Sequence, residues 1–290
     1  MILKMFSHPI TATLLALTAA THLHAETVTV RGLEVIDERA DRADALCCLS
    51  GADTARDGSI VLVSDVGVLF GAELDGVAGT LTVTSSAPLR LSDGSAPGSA
   101  LSNAEGLAIL GDGTHAISFE GRHRVAKYTD RGIGISATAL PEGVATRTNT
   151  GAEALAVDGG GTLWVISELA AGGGYDAATL RDGAWSYRGK LMGDPDFNPV
   201  GADFAPGGEL YVLERSFKYL GFASRLRRIR DPGASLEAET VWQSTRTRHD
   251  NLEAVAVISQ TVGETTLLLV SDDNDFALQR TEALILTIKP

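Results

Sequence analysis

The sequence predicts an all-β fold, a closed β-propeller built of four-stranded blades. The first observation is a repeated motif, Asn-x-Glu-(Gly/Ala)-(Leu/Val)-Ala-(Ile/Val), at Asn103–Ile109 and Asn251–Val257, with a related copy at Gly151–Val157. The second is that an apolar run ending in an acid follows each copy. With two weaker copies, the units begin near residues 50, 105, 153, 202 and 253. A period of about 50 residues made of short β-runs indicates one blade per repeat.

The first two strands of each unit are separated by turn signals. Hairpin turns are indicated by Asp57-Gly58, Asp112-Gly113, Gly159–Gly161 and Pro206–Gly208. The last unit has only three strand candidates, so Glu26–Val35 is predicted to pair with Ala283–Ile288 as its outer strand. Joining both chain ends in one blade would close the ring and remove exposed sheet edges. The count favours five blades, and a degenerate unit within 37–50 or 80–100 would make six.

The first 25 residues have the pattern of a secretory signal. Lys4 supplies a positive start, Ile10–Ala20 is an apolar run too short to span a bilayer, and Leu23-His24-Ala25 resembles a cleavage site. We therefore predict an exported protein, periplasmic or secreted, whose residues 26–290 form a single domain.

The formal net charge of the chain is −13. Such a charge repels phosphate backbones, so we expect no nucleic-acid partner. No later segment predicts membrane insertion, and we expect a monomer. The acidity suits cation binding, although acidity is also a common solubility device.

The chain has two cysteines, Cys47 and Cys48, and they are adjacent. Adjacent cysteines cannot staple a long loop and do not have the Cys-x-x-Cys spacing of a metal site. Export would permit a strained vicinal disulfide, but we favour two reduced, partly buried thiols.

The repeat brings acids to one mouth of the predicted channel. The second strand of a blade returns beside the first, so the start of the first and the end of the second lie at the same end. The interval between these positions is 15 residues in three units, Ser50 to Asp65, Glu105 to Glu120 and Glu153 to Glu168. In the other two units it is taken as 12 and 19, from Ala202 to Glu214 and from Glu253 to Asp272.

The predicted metal ligands are therefore eight carboxylates, Asp65, Glu105, Glu120, Glu153, Glu168, Glu214, Glu253 and Asp272. Acids this close raise one another's pKa unless a cation lies among them. Carboxylates, with the side chains of Asn103, Asn149 and Asn251 as neutral donors, suit Ca²⁺. Any one acid could instead accept a backbone N–H of the neighbouring blade. Acids placed for solubility alone would not keep phase with the repeat, so the set as a whole favours a cation.

Basic residues stand next to these acids. Arginine binds phosphate or carboxylate with two parallel hydrogen bonds, so the mouth suits a small anionic substrate or ligand. The predicted substrate-binding residues are Arg122, Arg124, Arg215, Arg248 and Asn251. The predicted catalytic residues are Glu120 and His249, a titrating base whose alternative role is that of a partly buried, hydrogen-bonded histidine.

Several motifs, in this order along the chain, resemble those of the phytase-like family described as "esterase-like activity of phytase". They are Leu49-Ser50-Gly51, Asn103-Ala-Glu105-Gly-Leu-Ala, Phe119-Glu120-Gly-Arg122, Asn149-x-Gly151-x-Glu153-x-Leu-Ala, Leu213-Glu214-Arg215-Ser216-Phe217, Asn251-Leu-Glu253-Ala and Ser271-Asp-Asp-Asn274-Asp-Phe276 followed by Gln279-Arg-Thr281. The resemblance implies an exported bacterial propeller with phosphoester or ester hydrolase activity. The chain departs from the family pattern at Ala202, where the first-position Glu is missing, and at Asp275, which interrupts an Asn-Phe step.

Three functions remain open on the sequence. The first is a calcium-dependent hydrolase of phosphomonoesters or related esters. The second is a lactonase-type propeller, which would need fewer arginines and a more apolar mouth. The third is a non-catalytic periplasmic propeller that binds a ligand or a protein, since propellers host many functions.

Overall fold

The structure, a computed structural model, describes residues 26–41, 43–98, 102–144, 151–219 and 221–289. The predicted signal segment 1–25 lies outside these residues, as do Arg147 and Asn149. The described part contains twenty strands and no helix, so the predicted all-β class is confirmed. Nothing in these ranges forms a helix long and apolar enough to cross a membrane.

The strands form four-stranded antiparallel groups in chain order. The first group is β2 (Leu49–Thr54), β3 (Ile60–Ser64), β4 (Val68–Asp75) and β5 (Thr80–Pro88). The second is β6 (Ala104–Ile109), β7 (His115–Phe119), β8 (Arg124–Tyr128) and β9 (Gly134–Ala139). The third is β10 (Ala154–Val157), β11 (Leu163–Ala171), β12 (Gly174–Arg181) and β13 (Ala184–Met192). The fourth is β14 (Asn198–Phe204), β15 (Leu210–Lys218), β16 (Gly221–Ile229) and β17 (Glu239–Gln243).

The two chain ends meet in one further group, β18 (Asn251–Thr261), β19 (Glu264–Asp272), β20 (Ala283–Lys289) and β1 (Thr27–Asp37). β1 pairs antiparallel with β20, from Thr27 opposite Lys289 to Leu33 opposite Ala283, which is the partner that the sequence predicts for it. The rest of β1 pairs in parallel with β5, and this joins two groups into one eight-stranded sheet. The sequence did not indicate this second pairing, which is possible because β1 is longer than β20.

The first strands of the groups pack closely against one another. Contacts run from β2 to β6, β10, β14 and β18 in turn, and β18 also contacts β2. Glycine makes the approach possible, because a Cβ at Gly106 would lie 2.4 Å from the carbonyl oxygen of Glu153. At Gly51 it would lie 2.6 Å from that of Glu105. The same end of each first strand is therefore held beside its neighbour.

The apolar core lies between neighbouring groups. Leu49 and Phe70 of the first group pack in one cluster with Ala254 and Leu268 of the last. The four-stranded groups and these clusters give the molecule a propeller-like architecture.

Candidate functional site

A β-bulge recurs near the start of the first strands. The residue that falls outside the ladder is Ser50 in β2, Val200 in β14 and Glu253 in β18, and Glu105 together with Gly106 in β6. Bulges re-aim a side chain and are common next to active sites. Glu153 immediately precedes β10 and takes the corresponding place in the third group.

The second strand of each group returns to the same level. The backbone N–H of Asp65, Glu120 and Glu168 donates to the residue that lies 17 positions earlier, at 2.9, 3.0 and 3.0 Å respectively. In the fourth group Arg215 pairs with Asn198, and in the fifth Asp272 pairs with Asn251. The equivalent second positions are therefore Asp65, Glu120, Glu168, Arg215 and Asp272.

The fourth group corrects the sequence alignment. The alignment of Ala202 with Glu214, at an interval of 12, is wrong, because the bulge puts Val200 at the first position and the ladder puts Arg215 at the second. The interval from Val200 to Arg215 is 15 residues, as in the first three groups. Keeping that interval constant would have identified both residues. A guanidinium therefore stands where the sequence analysis expected an acid.

Five acids gather at this end of the first strands, and we name Asp65, Glu105, Glu120, Glu153 and Glu168 the carboxylate cluster. Glu120, Glu153 and Glu168 each bring one carboxylate oxygen to within 4.8 Å of the others. Burial and the charge of Glu168 raise the pKa of Glu153 to about 8. Burial, with the charges of Glu153 and Glu120, raises the pKa of Glu105 well above its usual range. Carboxylates in this arrangement favour a bound proton or a cation.

Two backbone and amide donors fix Glu120. Its Oε1 accepts the backbone N–H of Gly151 at 3.0 Å, and its Oε2 accepts Nδ2 of Asn103 at 2.9 Å. Burial raises the pKa of Glu120, whereas these hydrogen bonds and the nearby His123 oppose that rise. The carboxylate is thus held in one orientation beside Glu153 and Glu168.

Asp65 and Asp272 are close to each other at the edge of the cluster. Burial, together with the charge of Asp65, raises the pKa of Asp272 to about 6. Oδ1 of Asp272 accepts the backbone N–H of Asn274 at 2.6 Å. Oδ1 of Asp65 is buried and accepts no hydrogen bond from any described residue. A buried carboxylate oxygen without a partner is costly, so this atom calls for a ligand.

Arg215, Asn251 and Glu253 are bound to one another. Nη1 of Arg215 donates to Oδ1 of Asn251 at 2.9 Å and forms an ion pair with Glu253, whose Oε1 also accepts Nδ2 of Asn251 at 2.8 Å. Burial raises the pKa of Glu168, and the charge of Arg215 lowers it. Arg215 is therefore a positive charge at the edge of the carboxylate cluster.

Glu214, expected as a metal ligand, has both oxygens occupied. The side chain is fully buried, its Oε2 accepts Nε of Arg225 at 2.6 Å, and its Oε1 accepts Nη1 of Arg227 at 3.0 Å. Two guanidinium groups already balance this carboxylate, and we leave it out of the proposed ligand set.

The other predicted arginines are distributed over different surroundings. The guanidinium of Arg124 is buried 3.9 Å above the ring of Phe119 and donates to the carbonyl oxygen of Arg122 at 3.0 Å. Arg122 itself is exposed. Arg248 lines a separate cavity of about 400 Å³ together with His249.

His249 is held within that cavity. Its Nδ1 lies 3.1 Å from Oε1 of Glu282, and its ring lies 5.9 Å from that of Trp242. Trp242 belongs to β17 and Glu282 directly precedes β20, so the cavity is formed by outer strands. This arrangement corresponds to the partly buried, hydrogen-bonded histidine that the sequence left as the alternative.

Two residues near the cluster were missed by the sequence analysis. Asn198 forms a side-chain hydrogen bond with Glu168 that lowers the pKa of this acid, against the larger effect of burial. The repeat contained the signal for it, because Asn198 precedes Arg215 by 17 residues, as Asn103 precedes Glu120. His123 lies beside Glu120, and no repeated pattern points to it.

The cavity with the greatest volume among those described, about 730 Å³, lies elsewhere. It is formed by the β2–β3 and β6–β7 turns and is lined by Arg56, His115 and Arg131. These turns are at the opposite end of the first strands from the carboxylate cluster. We place the candidate site at the cluster, because the convergent acids lie there.

The architecture and the acids define a propeller-like protein with a carboxylate centre at one end of its first strands. The chain belongs to the Phytase-like family, described as "Esterase-like activity of phytase", which it matches over residues 45–275. No curated protein matches the chain in a sequence comparison.

Solved structures with similar folds are distant in sequence. The PQQ-bound aldose sugar dehydrogenase of Streptomyces coelicolor has 13% identity and a TM-score of 0.52, with 91% of this chain and 99% of that chain covered. Virginiamycin B lyase of Staphylococcus aureus has 10% identity and a TM-score of 0.46, with 91% of this chain and 99% of that chain covered. The similarity to the dehydrogenase supports the propeller-like fold and bears on the fold alone.

Proposed function

We propose that this protein is a calcium-dependent hydrolase of esters that acts at the carboxylate cluster. The observation on which the proposal rests is the approach of Glu120, Glu153 and Glu168 to within 4.8 Å of one another. Ionised carboxylates at such distances repel, and a cation relieves the repulsion. Membership of a family described by esterase-like activity supports the type of reaction.

We also infer a closed propeller of five blades. Each four-stranded group would be one blade, with β18, β19, β20 and β1 as the fifth. The contacts of the first strands, which lead from β2 through β18 back to β2, support this count. In such a ring the carboxylate cluster would surround one mouth of the central channel.

The donor set of the cluster fits calcium. Ca²⁺ takes about six to eight oxygen ligands from carboxylates, carbonyls and water. The residues that would hold it are Glu105, Glu120, Glu153 and Glu168, with Asp65, whose Oδ1 lacks a partner. When bound, the cation supplies positive charge that stabilises the negative charge developing on an ester oxygen.

The protein's own residues would orient the reactants and move the proton. Asn103 and the backbone of Gly151 hold the carboxylate of Glu120 in place. His123 is half-buried beside Glu120 and is the histidine that we propose as the base for an attacking water. His249 is less suitable, because its Nδ1 lies against Glu282 in the outer cavity.

The distribution of arginines favours a carboxylic ester or lactone over a phosphomonoester. Arg124 packs on Phe119 and Arg215 pairs with Glu253, so both have partners within the protein. The connections that follow the second strands bear exposed apolar side chains, those of Val66, Phe217, Tyr219, Phe276 and Leu278. Fewer available arginines and more apolar surface are the two features that a lactonase-type propeller requires.

The test is a substrate screen with and without calcium. Aryl esters, lactones and aryl phosphates are offered to protein treated with EDTA and to the same protein after Ca²⁺ is restored. We expect turnover of an aryl ester or lactone that EDTA abolishes and Ca²⁺ restores. Glu153→Gln should lower kcat/KM by at least about 100-fold, about 2.7 kcal/mol of transition-state stabilisation. Glu142→Gln, which alters an exposed acid, is the matched control.

The other outcomes separate the alternatives. Preferred turnover of the aryl phosphate would reverse the choice of substrate class. Calcium binding without turnover of any ester would favour the non-catalytic binding propeller. We expect the protein to act in the periplasm or outside the cell, an expectation that rests on residues 1–25 alone.

A further inference from the structure

The two adjacent thiols lie next to a carboxylate. Cys47 and Cys48 are both buried, and their sulfurs are 2.8 Å apart. Each sulfur and one carboxylate oxygen of Asp273 lie within 4.8 Å of one another. Asp273 is 225 residues from Cys48 in the chain, so the fold assembles this group.

The backbone at Cys48 is unusual for its residue type. Its φ is +60°, in the left-handed region, and Asn103, the equivalent residue of the second group, has a φ of +72°. Asparagine adopts this conformation readily, whereas cysteine does so rarely. The backbone N–H of Cys48 donates to Oδ1 of Asp273 at 3.1 Å. The unusual conformation is thus stabilised by the residue that completes the group, as at many functional sites.

Asp273 is fixed in place and keeps room for one more ligand. Its Oδ1 accepts the backbone N–H groups of Cys48 and Asp275, at 3.1 and 3.2 Å. Its Oδ2 accepts the hydroxyl of Thr281 at 2.8 Å. A carboxylate oxygen has two lone pairs, so Oδ2 can accept one further contact.

The electrostatic surroundings favour a cation. Burial raises the pKa of both thiols, and the charge of Asp273 raises that of Cys47 further. Asp65 also raises the pKa of Cys48. Without a cation the thiols would therefore stay protonated and unreactive.

We propose that Cys47, Cys48 and Asp273 form a second cation site, specific for a thiophilic divalent ion such as Zn²⁺. Thiolate and carboxylate ligands suit Zn²⁺, whereas Ca²⁺ takes oxygen ligands alone. Each thiol releases its proton on binding, so two thiolates and one carboxylate face the ion. At a Zn–S distance of about 2.3 Å, tetrahedral geometry puts the sulfurs about 3.8 Å apart, so they separate by about 1 Å. The fourth position is left for water or a substrate atom.

The site differs in chemistry from the carboxylate cluster, and its existence does not depend on the proposed hydrolase. A bound ion would also protect adjacent thiols from oxidation in an oxidising compartment.

The test is a titration of the full chain with Cd²⁺, a spectroscopic substitute for Zn²⁺, in excess Ca²⁺. We expect saturation at one equivalent, an ultraviolet thiolate-to-metal absorption band and the release of two protons. Cys47→Ser and Cys48→Ser should each lose the band. Asp273→Asn should bind at least about tenfold more weakly. Asp275→Asn, in the same loop, is the matched control and should change the Kd by less than about twofold.

Further measurements keep the result clear. Glu153→Gln should retain the band, so failure of the calcium proposal would leave this one standing. Zn²⁺ should displace Cd²⁺ and remove the band. If a thiol reagent finds two thiols in the unfolded protein but the folded protein gives no band, the proposal is overturned. A protein without free thiols would contain a vicinal disulfide and would overturn it equally. Should the cysteine variants fail to fold, the wild-type titration decides alone.

Discussion

Asp53 and Asp203 make the same contact in two different groups of strands. Oδ2 of Asp53 accepts the backbone N–H of Ile109 at 2.6 Å, and Oδ2 of Asp203 accepts that of Val257 at 2.6 Å. In both cases the donor lies on the first strand of another group. Burial and the charge of Asp53 raise the pKa of Asp203 well above its usual range. Two buried carboxylates thus connect first strands that are far apart in the chain.

The first expectation is that ionisation of Asp53 weakens the fold between about pH 4 and 6. Burial raises the pKa of Asp53 from 3.8 to about 6, so the folded protein binds this proton more tightly than the unfolded chain. The stabilisation is complete below the unfolded pKa and is lost as the pH rises through the folded pKa. The loss is at most about 3 kcal/mol. Urea unfolding across this range, in excess Ca²⁺, should show the fall in wild type and not in Asp53→Asn.

A matched control for that experiment is Asp57→Asn. Asp57 is exposed in a turn, and hydrogen bonds from Ser59 lower its pKa, so this variant should keep the fall. An unchanged slope in Asp53→Asn would assign the titration to another group.

The second expectation concerns calcium and stability. Ligand binding to the folded state stabilises it by about 2.7 kcal/mol when the free ligand is at a hundredfold excess over its Kd. Chelation should therefore lower the Tm of wild type. The double variant Glu105→Gln with Glu153→Gln should show no response, because it removes two of the proposed ligands. A wild type whose Tm ignores Ca²⁺, with a double variant that melts higher, would indicate relief of repulsion and no metal.

The third expectation separates Glu214 from the proposed ligands. Glu214→Gln should lower the free energy of unfolding by about 3–5 kcal/mol, because Arg225 and Arg227 would keep buried charges without a partner. The stabilisation by Ca²⁺ should remain as in wild type. The control is Asp196→Asn, which breaks an exposed ion pair with Lys218 and should cost less than about 1 kcal/mol. Loss of the calcium response in Glu214→Gln would return this acid to the ligand set.

The fourth expectation concerns the approach of the first strands. Gly106→Ala would put a Cβ 2.4 Å from the carbonyl oxygen of Glu153 and 2.6 Å from Cβ of Leu155. Neither atom is the end of a flexible side chain, so the variant should lose about 1–3 kcal/mol in unfolding free energy. It should also bind Ca²⁺ more weakly, since the backbone of Glu153 must shift. Gly32→Ala meets no atom within 4 Å and is the control. Equal stability of the two variants would contradict the packing described here.

Much of the architecture could be predicted because it depends on local, repeated features. The turn signals and the alternating apolar runs of each unit are short-range, and they indicated the all-β class and the four-stranded groups. The 15-residue interval likewise anticipated that Glu105, Glu120, Glu153 and Glu168 would meet, because it measures the length of one hairpin.

The tertiary structure decided which of these residues have partners. A bulge moves the register by one residue and exchanges the faces of a strand, so Val200 and Arg215, rather than Ala202 and Glu214, occupy the equivalent positions in the fourth group. Whether an acid pairs with arginine or with other acids depends on distances between strands that are remote in sequence. For the same reason, no local pattern could have chosen His123 over His249. The contact between Cys48 and Asp273 is likewise a property of the folded chain, because only folding brings these distant residues together.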